Sequence, residues 1–502
     1  MIKNPFIRTA GTYGLLALMV AFALFFGLTV FGNTSLRLDE AQSLFQTQRD
    51  LAGMLHLIAQ DVHVPGYHVL LHFWQLFFGS DIYVARIMSL VFFVGTILMT
   101  YVLATYALGR KSVGLFAALL VTISPFMNWY GSEARMYTML AFMTVLHMYF
   151  FVRILKQQGS GRWILWVLTA ILGLYTHYFF IFVLLAEFVS LILLRKRLRG
   201  GGEHFIRNII IAGTIAGLSL LPWVIYVFTL GTASNTQPAL TTPSAGDLFD
   251  TYAQFIFGFQ VSGVNTLIIS LWPVAVLLAF FALQRGKREI PLEITPFVLL
   301  ATLPIISAFL ISVTVRPLFL SRYLIVALPT LFIFIAWLLT RYRPWIARTV
   351  GIVLVAVIGV LFTVQVMSPN TPVKENYKEA VEYIEDNADA SDVVVLAAPF
   401  TIYPVEYYYK GTAKLTTQPI WNRFESGSVP AFDEKTVEAE TKENVASYQN
   451  AWLMLSYDQG YNEKLKKYYD DHYEKIGERK FSAGLTVYEY KIRYDEPLKI
   501  SQ

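Results

Sequence analysis

Eleven long apolar runs decide what this chain can fold into. They lie near residues 11–31, 82–108, 113–129, 137–155, 163–176, 178–194, 209–230, 262–283, 295–315, 323–340 and 349–367. Most approach the ~20 residues that a helix needs to cross ~30 Å of hydrocarbon. A backbone in hydrocarbon must satisfy its own hydrogen bonds, so runs of this length predict membrane-spanning helices. The first run follows Lys3 and Arg8. It exceeds the roughly 7–15 residues of a signal-peptide core and no small-x-small cleavage site follows, so it reads as a retained span. Run 163–176 is short, and the pair around Thr176-His177 reads either as two spans or as one broken helix. Only 15% of residues are charged, against roughly 25% in soluble proteins. That excludes a soluble enzyme and a disordered chain. The absence of cysteine excludes disulfides, thiol catalysis and cysteine-based metal sites.

The charges sort by side of the membrane. With the N-terminus inside, Lys3, Arg8, Arg110, Lys111, Arg153, Lys156, Arg162, Arg195, Lys196, Arg197, Arg199, Arg207, Arg285, Lys287, Arg288, Arg341, Arg343 and Arg348 fall on inner segments. Before residue 368 only Arg37, Arg49, Arg86, Arg135, Arg316 and Arg322 fall outside. Eighteen against six is the positive-inside asymmetry. The excess is scattered over short loops, so it reads as topology and not as a nucleic-acid surface. Residues 1–367, including an outer loop 32–80, form the predicted membrane module. Residues 368–502 carry 16 basic and 23 acidic residues and form a separate outer domain. Within it 392–398, 451–457 and 485–492 read as strands, and 373–387, 433–446 and 462–475 as helices. This is a small α/β domain.

Eight of the twelve carboxylates before residue 368 lie on the outer side: Asp39, Glu40, Asp50, Asp61, Asp81, Glu133, Asp247 and Asp250. With the six outer arginines they make a layer suited to a phosphate-linked polar group whose tail stays in lipid. Asp39-Glu40 follows the first span by a few residues. It reads either as a general base at the lipid boundary or as favourable first-turn acids of a short helix. Asp61, His63, His68 and His72 have two readings: ligands of a divalent metal, or plain hydrogen-bond partners. Glu187 alone sits inside a span, where pairing with a neighbouring polar group is expected.

Leu38-Asp39-Glu40-Ala41, Asp61-Val62-His63-Val64-Pro65-Gly66-Tyr67, Val84-Ala85-Arg86-Ile87-Met88-Ser89, Tyr130-Gly131-Ser132-Glu133-Ala134-Arg135-Met136-Tyr137, Tyr175-Thr176-His177-Tyr178-Phe179 and Arg322-Tyr323-Leu324-Ile325-Val326-Ala327-Leu328-Pro329 follow one another in this order. In that order the chain resembles bacterial family 39-like GT-C glycosyltransferases, relatives of the protein O-mannosyltransferases and of the aminoarabinose transferase acting on lipid A. One departure stands out: the family often has His-Pro-Pro-Leu-Tyr where this chain has His63-Val64-Pro65-Gly66-Tyr67.

The resemblance implies a polytopic α-helical fold of about eleven spans with an extracytoplasmic α/β domain, in the cytoplasmic membrane. It implies inverting transfer of a sugar from a polyprenyl-phosphate donor, at the outer face, to an acceptor hydroxyl on a glycan, lipid or protein. Asp39 matches the family's catalytic acid residue and takes the base role; Glu40 orients it or holds the sugar. Arg86 matches the family's arginine and is the first choice for the departing phosphate, with Arg135, Arg322 and Arg316 next. Glu133, His63, Tyr67 and His177 complete the expected substrate contacts. The cofactor set is none, or a divalent metal. The alternative function is a transporter or flippase of lipid-linked glycans, which commonly shows repeat halves that this sequence lacks.

Overall fold

The computed structural model describes residues 5–31, 34–61, 63–157, 160–198, 202–230, 240–284, 290–424 and 429–492. Val62 and the cations Lys3, Arg199, Arg285, Lys287 and Arg288 lie outside the described residues. The chain divides into two compact units: 1–33, 62–231 and 237–371 form one, and 34–61, 232–236 and 372–502 the other. The loop expected to belong to the membrane module is thus split, with 34–61 joining the C-terminal domain.

The first unit is helical, and helices cover all eleven apolar runs. Among the described residues, eight segments are long and apolar enough to cross a membrane alone, and nine if a bent pair counts as one. The bent pair is Lys111–Ile123 with Pro125–Gly131, turned by 63°. The turn follows from chemistry: Pro125 cannot continue the hydrogen-bond ladder, and the Ser124 hydroxyl caps the new helix by accepting from the Met127 amide at 3.2 Å. The difference from eleven spans lies in this pair and in two shorter helices, Gly161–Thr176 and Tyr178–Leu194. They break at His177, whose extended backbone (φ −162°) leaves the helix and whose ring accepts from the Phe179 amide. The chain is a multi-pass membrane protein.

Gly66 opens a helix to Phe78 whose outer side exposes Phe73, Leu76, Phe77 and Phe78. A Cβ on Gly66 would sit 2.8 Å from the Tyr175 carbonyl carbon. No side chain fits there, which accounts for glycine at the position where the sequence departs from the family pattern.

The second unit holds a five-stranded sheet: β1 (Val393–Ala397), β2 (Lys414–Gln418), β3 (Asn450–Leu455), β4 (Glu474–Ser482) and β5 (Leu485–Lys491), in the order β2-β1-β3-β5-β4. β1 lies parallel to β2 and β3, and β5 antiparallel to β3 and β4. Because side chains alternate across a strand, Val393, Val395 and Leu453 enter one core, with Leu465 and Tyr469. Val394, Leu396 and Trp452 enter the other, with Tyr377 and Ile384. β1, β3 and β5 fall where the apolar runs predicted them. β2 and β4 were not foreseen, since both are edge strands; β4 is mostly exposed and shows no apolar alternation. The helix expected from 373 begins at Tyr377, where Asn376 caps it by accepting from the Glu379 amide.

Candidate active site

The sequence-singled residues gather in two groups, one in each unit. In the membrane unit the centre is Arg135, 3% exposed, in the turn between the helices Pro125–Gly131 and Tyr137–Lys156. Its Nη2 lies 2.8 Å from His63 Nε2, and its carbonyl accepts from the Ser89 hydroxyl at 3.4 Å. Ser89 is one turn beyond Arg86 on the same helix, and Arg86 is likewise 3% exposed. The Arg135 amide donates to the Glu133 carbonyl at 2.7 Å, and Glu133 is buried.

His177 shares this neighbourhood. Burial, then the charges of His63, Arg135 and Arg322, holds its imidazole down to about 3, so it is neutral at ordinary pH. Its ring lies 4.9 Å from that of Tyr323, over which the Arg322 guanidinium sits at 5.6 Å. Tyr67 is fully buried beside His68, and the rings of His63 and His68 stack at 5.9 Å. Five of the expected residues (His63, Tyr67, Arg135, His177 and Arg322) thus belong to one buried, cation-rich region with aromatic walls. Arg316 does not follow them inward: it is exposed in the connection before Ser321.

Among the described residues, no three His, Asp or Glu side chains are grouped so as to hold a metal ion. The two members of the histidine set nearest each other are engaged otherwise, His63 with a guanidinium and His68 with aromatic rings. Glu187 is fully buried as expected of a paired intramembrane acid. Its Oε2 accepts from the Trp166 indole at 2.7 Å and lies 3.2 Å from His147 Nε2.

In the second unit, Asp39 stands in the first turn of the helix Leu38–Thr47, partly exposed. Glu40 is fully buried and its Oε2 accepts from the Arg37 amide at 3.0 Å, the N3 carboxylate closing its own helix start. The segment leading into this helix is tied to the sheet domain. The Leu36 amide donates to the Tyr408 hydroxyl at 2.8 Å, and the Lys378 amide to Ser35 Oγ at 3.2 Å. Glu375, in the segment before the helix Tyr377–Asn387, lies within electrostatic reach of Arg37 and Asp39. Burial pushes this carboxyl up to about 7, with the Asp39 charge adding to the rise and Arg37 opposing it.

Residues 62–226 match the family described as dolichyl-phosphate-mannose-protein mannosyltransferase. The chain superposes on ArnT from Cupriavidus metallidurans bound to undecaprenyl phosphate with a TM-score of 0.61, at 12% identity, over 95% of this chain and 98% of that one. Apo ArnT from the same organism gives the same score at 13% identity and the same coverage. The Archaeoglobus fulgidus oligosaccharyltransferase, in complex with Zn and sulfate, gives 0.51 at 11% identity, over 97% of this chain and 74% of that one. No curated protein sequence matches the chain.

The fold is that of the GT-C glycosyltransferases. Arg86 and Arg135 place two guanidinium groups, each 3% exposed, in this unit. With Nδ1 accepting from the Phe179 amide, the neutral imidazole of His177 keeps its Nε2–H as a donor without adding charge. Sequence reasoning passed over two residues of the Arg135 neighbourhood: Tyr323, whose ring lies 4.9 Å from that of His177, and Ser89, which donates to the Arg135 carbonyl.

Proposed function

We propose that this protein transfers a sugar from a polyprenyl-phosphate donor to an acceptor hydroxyl, with inversion at the anomeric carbon, on the outer face of the cytoplasmic membrane. The N-terminus lies inside and the C-terminal domain outside, as the distribution of basic residues supports. The observation carrying the reading is the ArnT-like GT-C fold over 95% of the chain, together with buried cations at the positions that the family motifs singled out. A lipid-linked donor fits because the chain is a membrane protein and the solved relative is one bound to undecaprenyl phosphate.

The chemistry divides simply. The acceptor hydroxyl attacks the anomeric carbon and its proton passes to Asp39, while the bond from that carbon to the phosphate oxygen breaks. Arg86, Arg135 and Arg322 receive the charge of the departing phosphate, and Tyr67, His63, Glu133 and His177 contact the sugar-phosphate. Glu40 acts through the backbone, fixing the turn that presents Asp39.

The test uses purified protein in lipid nanodiscs with a panel of radiolabelled polyprenyl-phosphate sugars, following release of free polyprenyl phosphate. Turnover of one donor, lost by at least about 10³-fold in Asp39→Asn at equal folding, is expected. Donor binding without turnover of any member, with lipid-linked sugar moved across the bilayer instead, would replace transfer by the flippase reading.

A further inference from the structure

One apolar groove of the membrane unit ends among cations. It runs between the helices Lys111–Ile123, Leu328–Leu339 and Pro344–Met367 and encloses about 830 Å³, within the range of ligand-binding clefts. Phe116, Leu339 and Val355, all half-buried, wall it. Gly351 lets the three helices approach: a Cβ there would lie 3.5 Å from the Phe116 ring and 3.9 Å from Leu339. Among the residues lining the groove Arg348 alone is charged, and none is acidic.

The helices Lys111–Ile123 and Pro344–Met367 both begin at this end. Arg110 and Lys111 directly precede Ser112, which lines the groove, and Arg343 opens the helix that carries Arg348. Neither helix has an acid in its first turn, so nothing offsets the positive potential of the two starts. The side chains of Arg110, Lys111, Arg343 and Arg348 are exposed, and among the described residues none of them pairs with an acid. Other inner cations are engaged. Lys156 donates to the Tyr106 and Ala107 carbonyls and pairs with Glu293 at 3.3 Å, and Arg341 donates to the Leu283 carbonyl at 3.3 Å.

We propose that this groove holds one anionic phospholipid, with its phosphate on Arg348 and Lys111 and an acyl chain between Phe116, Leu339 and Val355. A phosphate offers only acceptors, which matches guanidinium and ammonium groups that offer only donors. A small soluble anion would leave the apolar walls uncovered, whereas an acyl chain covers them. A choline headgroup would bring its own cation to a mouth that already holds cations and no acid. Under the orientation proposed above, the groove opens to the inner leaflet, where anionic lipids make the surface negative. The bound lipid braces three helices against one another, and it stabilises the folded unit because the unfolded chain has no such groove.

The test is native mass spectrometry of the full-length protein in detergent, with phosphatidylglycerol and phosphatidylcholine of identical acyl chains. Wild type is expected to retain one phosphatidylglycerol at least about tenfold more tightly than phosphatidylcholine. A cation beside an anionic lipid surface contributes about fivefold to binding, so Lys111→Gln combined with Arg348→Gln should weaken phosphatidylglycerol by about 25-fold. The same pair should leave phosphatidylcholine within about twofold. Arg195→Gln with Lys196→Gln removes equal charge from an inner segment outside the groove and should change neither lipid. Val355→Trp fills the apolar part and should weaken both lipids at least about fivefold. Ala356→Phe, on the exposed rim, repeats the fill where the tryptophan lowers the lipid-free unfolding midpoint.

Equal retention of the two lipids by wild type overturns the proposal. So does a loss of phosphatidylglycerol in the Arg195 and Lys196 control as large as in the groove pair. If the charge variants weaken phosphatidylglycerol while both filled variants keep it, surface charge alone holds the lipid and the groove site fails. A dimer that excludes phosphatidylglycerol and disappears in Val355→Trp would give the groove to a second copy of the chain instead.

Discussion

The two units of this chain put apolar side chains in opposite places. In the sheet unit every residue of β1, Val393 to Ala397, is fully buried, and most charged side chains lie outside, with Glu40, Asp392 and Arg423 as buried exceptions. In the membrane unit Val315, Phe77 and Ile352 are 80%, 81% and 70% exposed, while Glu187, His147, Arg135 and Arg86 are buried. Each unit is hidden from a different solvent. One excludes water from a hydrocarbon core; the other surrounds its ionisable groups with protein because lipid will not solvate them. In both units buried polar groups are held by partners: in the membrane unit Glu187 accepts from the Trp166 indole, while Thr122, Thr144 and Ser190 donate to carbonyls of their own helices. In the sheet unit Asp392 is held by side chains, accepting from the Asn450 side-chain amide at 2.9 Å and from the Trp452 indole at 3.2 Å.

The sharpest break would come at Glu187. Glu187→Ala leaves the His147 ring and the Trp166 indole without their buried partner. It should cost roughly 3–5 kcal/mol, read as a lowered unfolding midpoint in detergent, with any activity lost only through unfolding. Unchanged stability would mean that burial of this acid has another purpose than clamping the helices.

Next is Arg135→Met, which keeps length and removes the guanidinium. It should reduce turnover by about 10²-fold or more, near 3 kcal/mol of transition-state stabilisation, while the midpoint moves little. Loss of fold instead of turnover would turn the cation cluster into a structural feature.

Smaller effects separate the cores. Val395→Ala, in the middle of β1, should destabilise by about 2 kcal/mol. Ile352→Ala, on the exposed side of the last span, should stay within about 0.5 kcal/mol. An equal effect at the two positions would mean that the Ile352 side is packed against protein in the membrane and is not lipid-facing.

Much of this architecture was legible from residue order. The helices follow from apolar length alone, and three sheet strands from β-branched and aromatic runs. The edge strands β2 and β4 escaped because an exposed strand needs no apolar pattern. The motif residues His63, Arg135, His177 and Arg322 were picked out one by one, and the structure places them in one neighbourhood. Arg316 carried the same charge on the same predicted side yet stays exposed, because side-of-membrane counting assigns a compartment and not a direction.

The amino-acid sequence by itself determined that this is a polytopic helical membrane protein with an α/β tail, since hydrocarbon thickness and strand alternation act on local stretches of chain. Only tertiary structure decided which distant groups meet. Residues 34–61 leave the membrane unit and join the tail, with the Leu36 amide held by a tyrosine 372 positions away. The reason is physical: periodicity records which face of an element is buried, whereas the partner on the other side is set by chain crossing and packing, which leave no local trace.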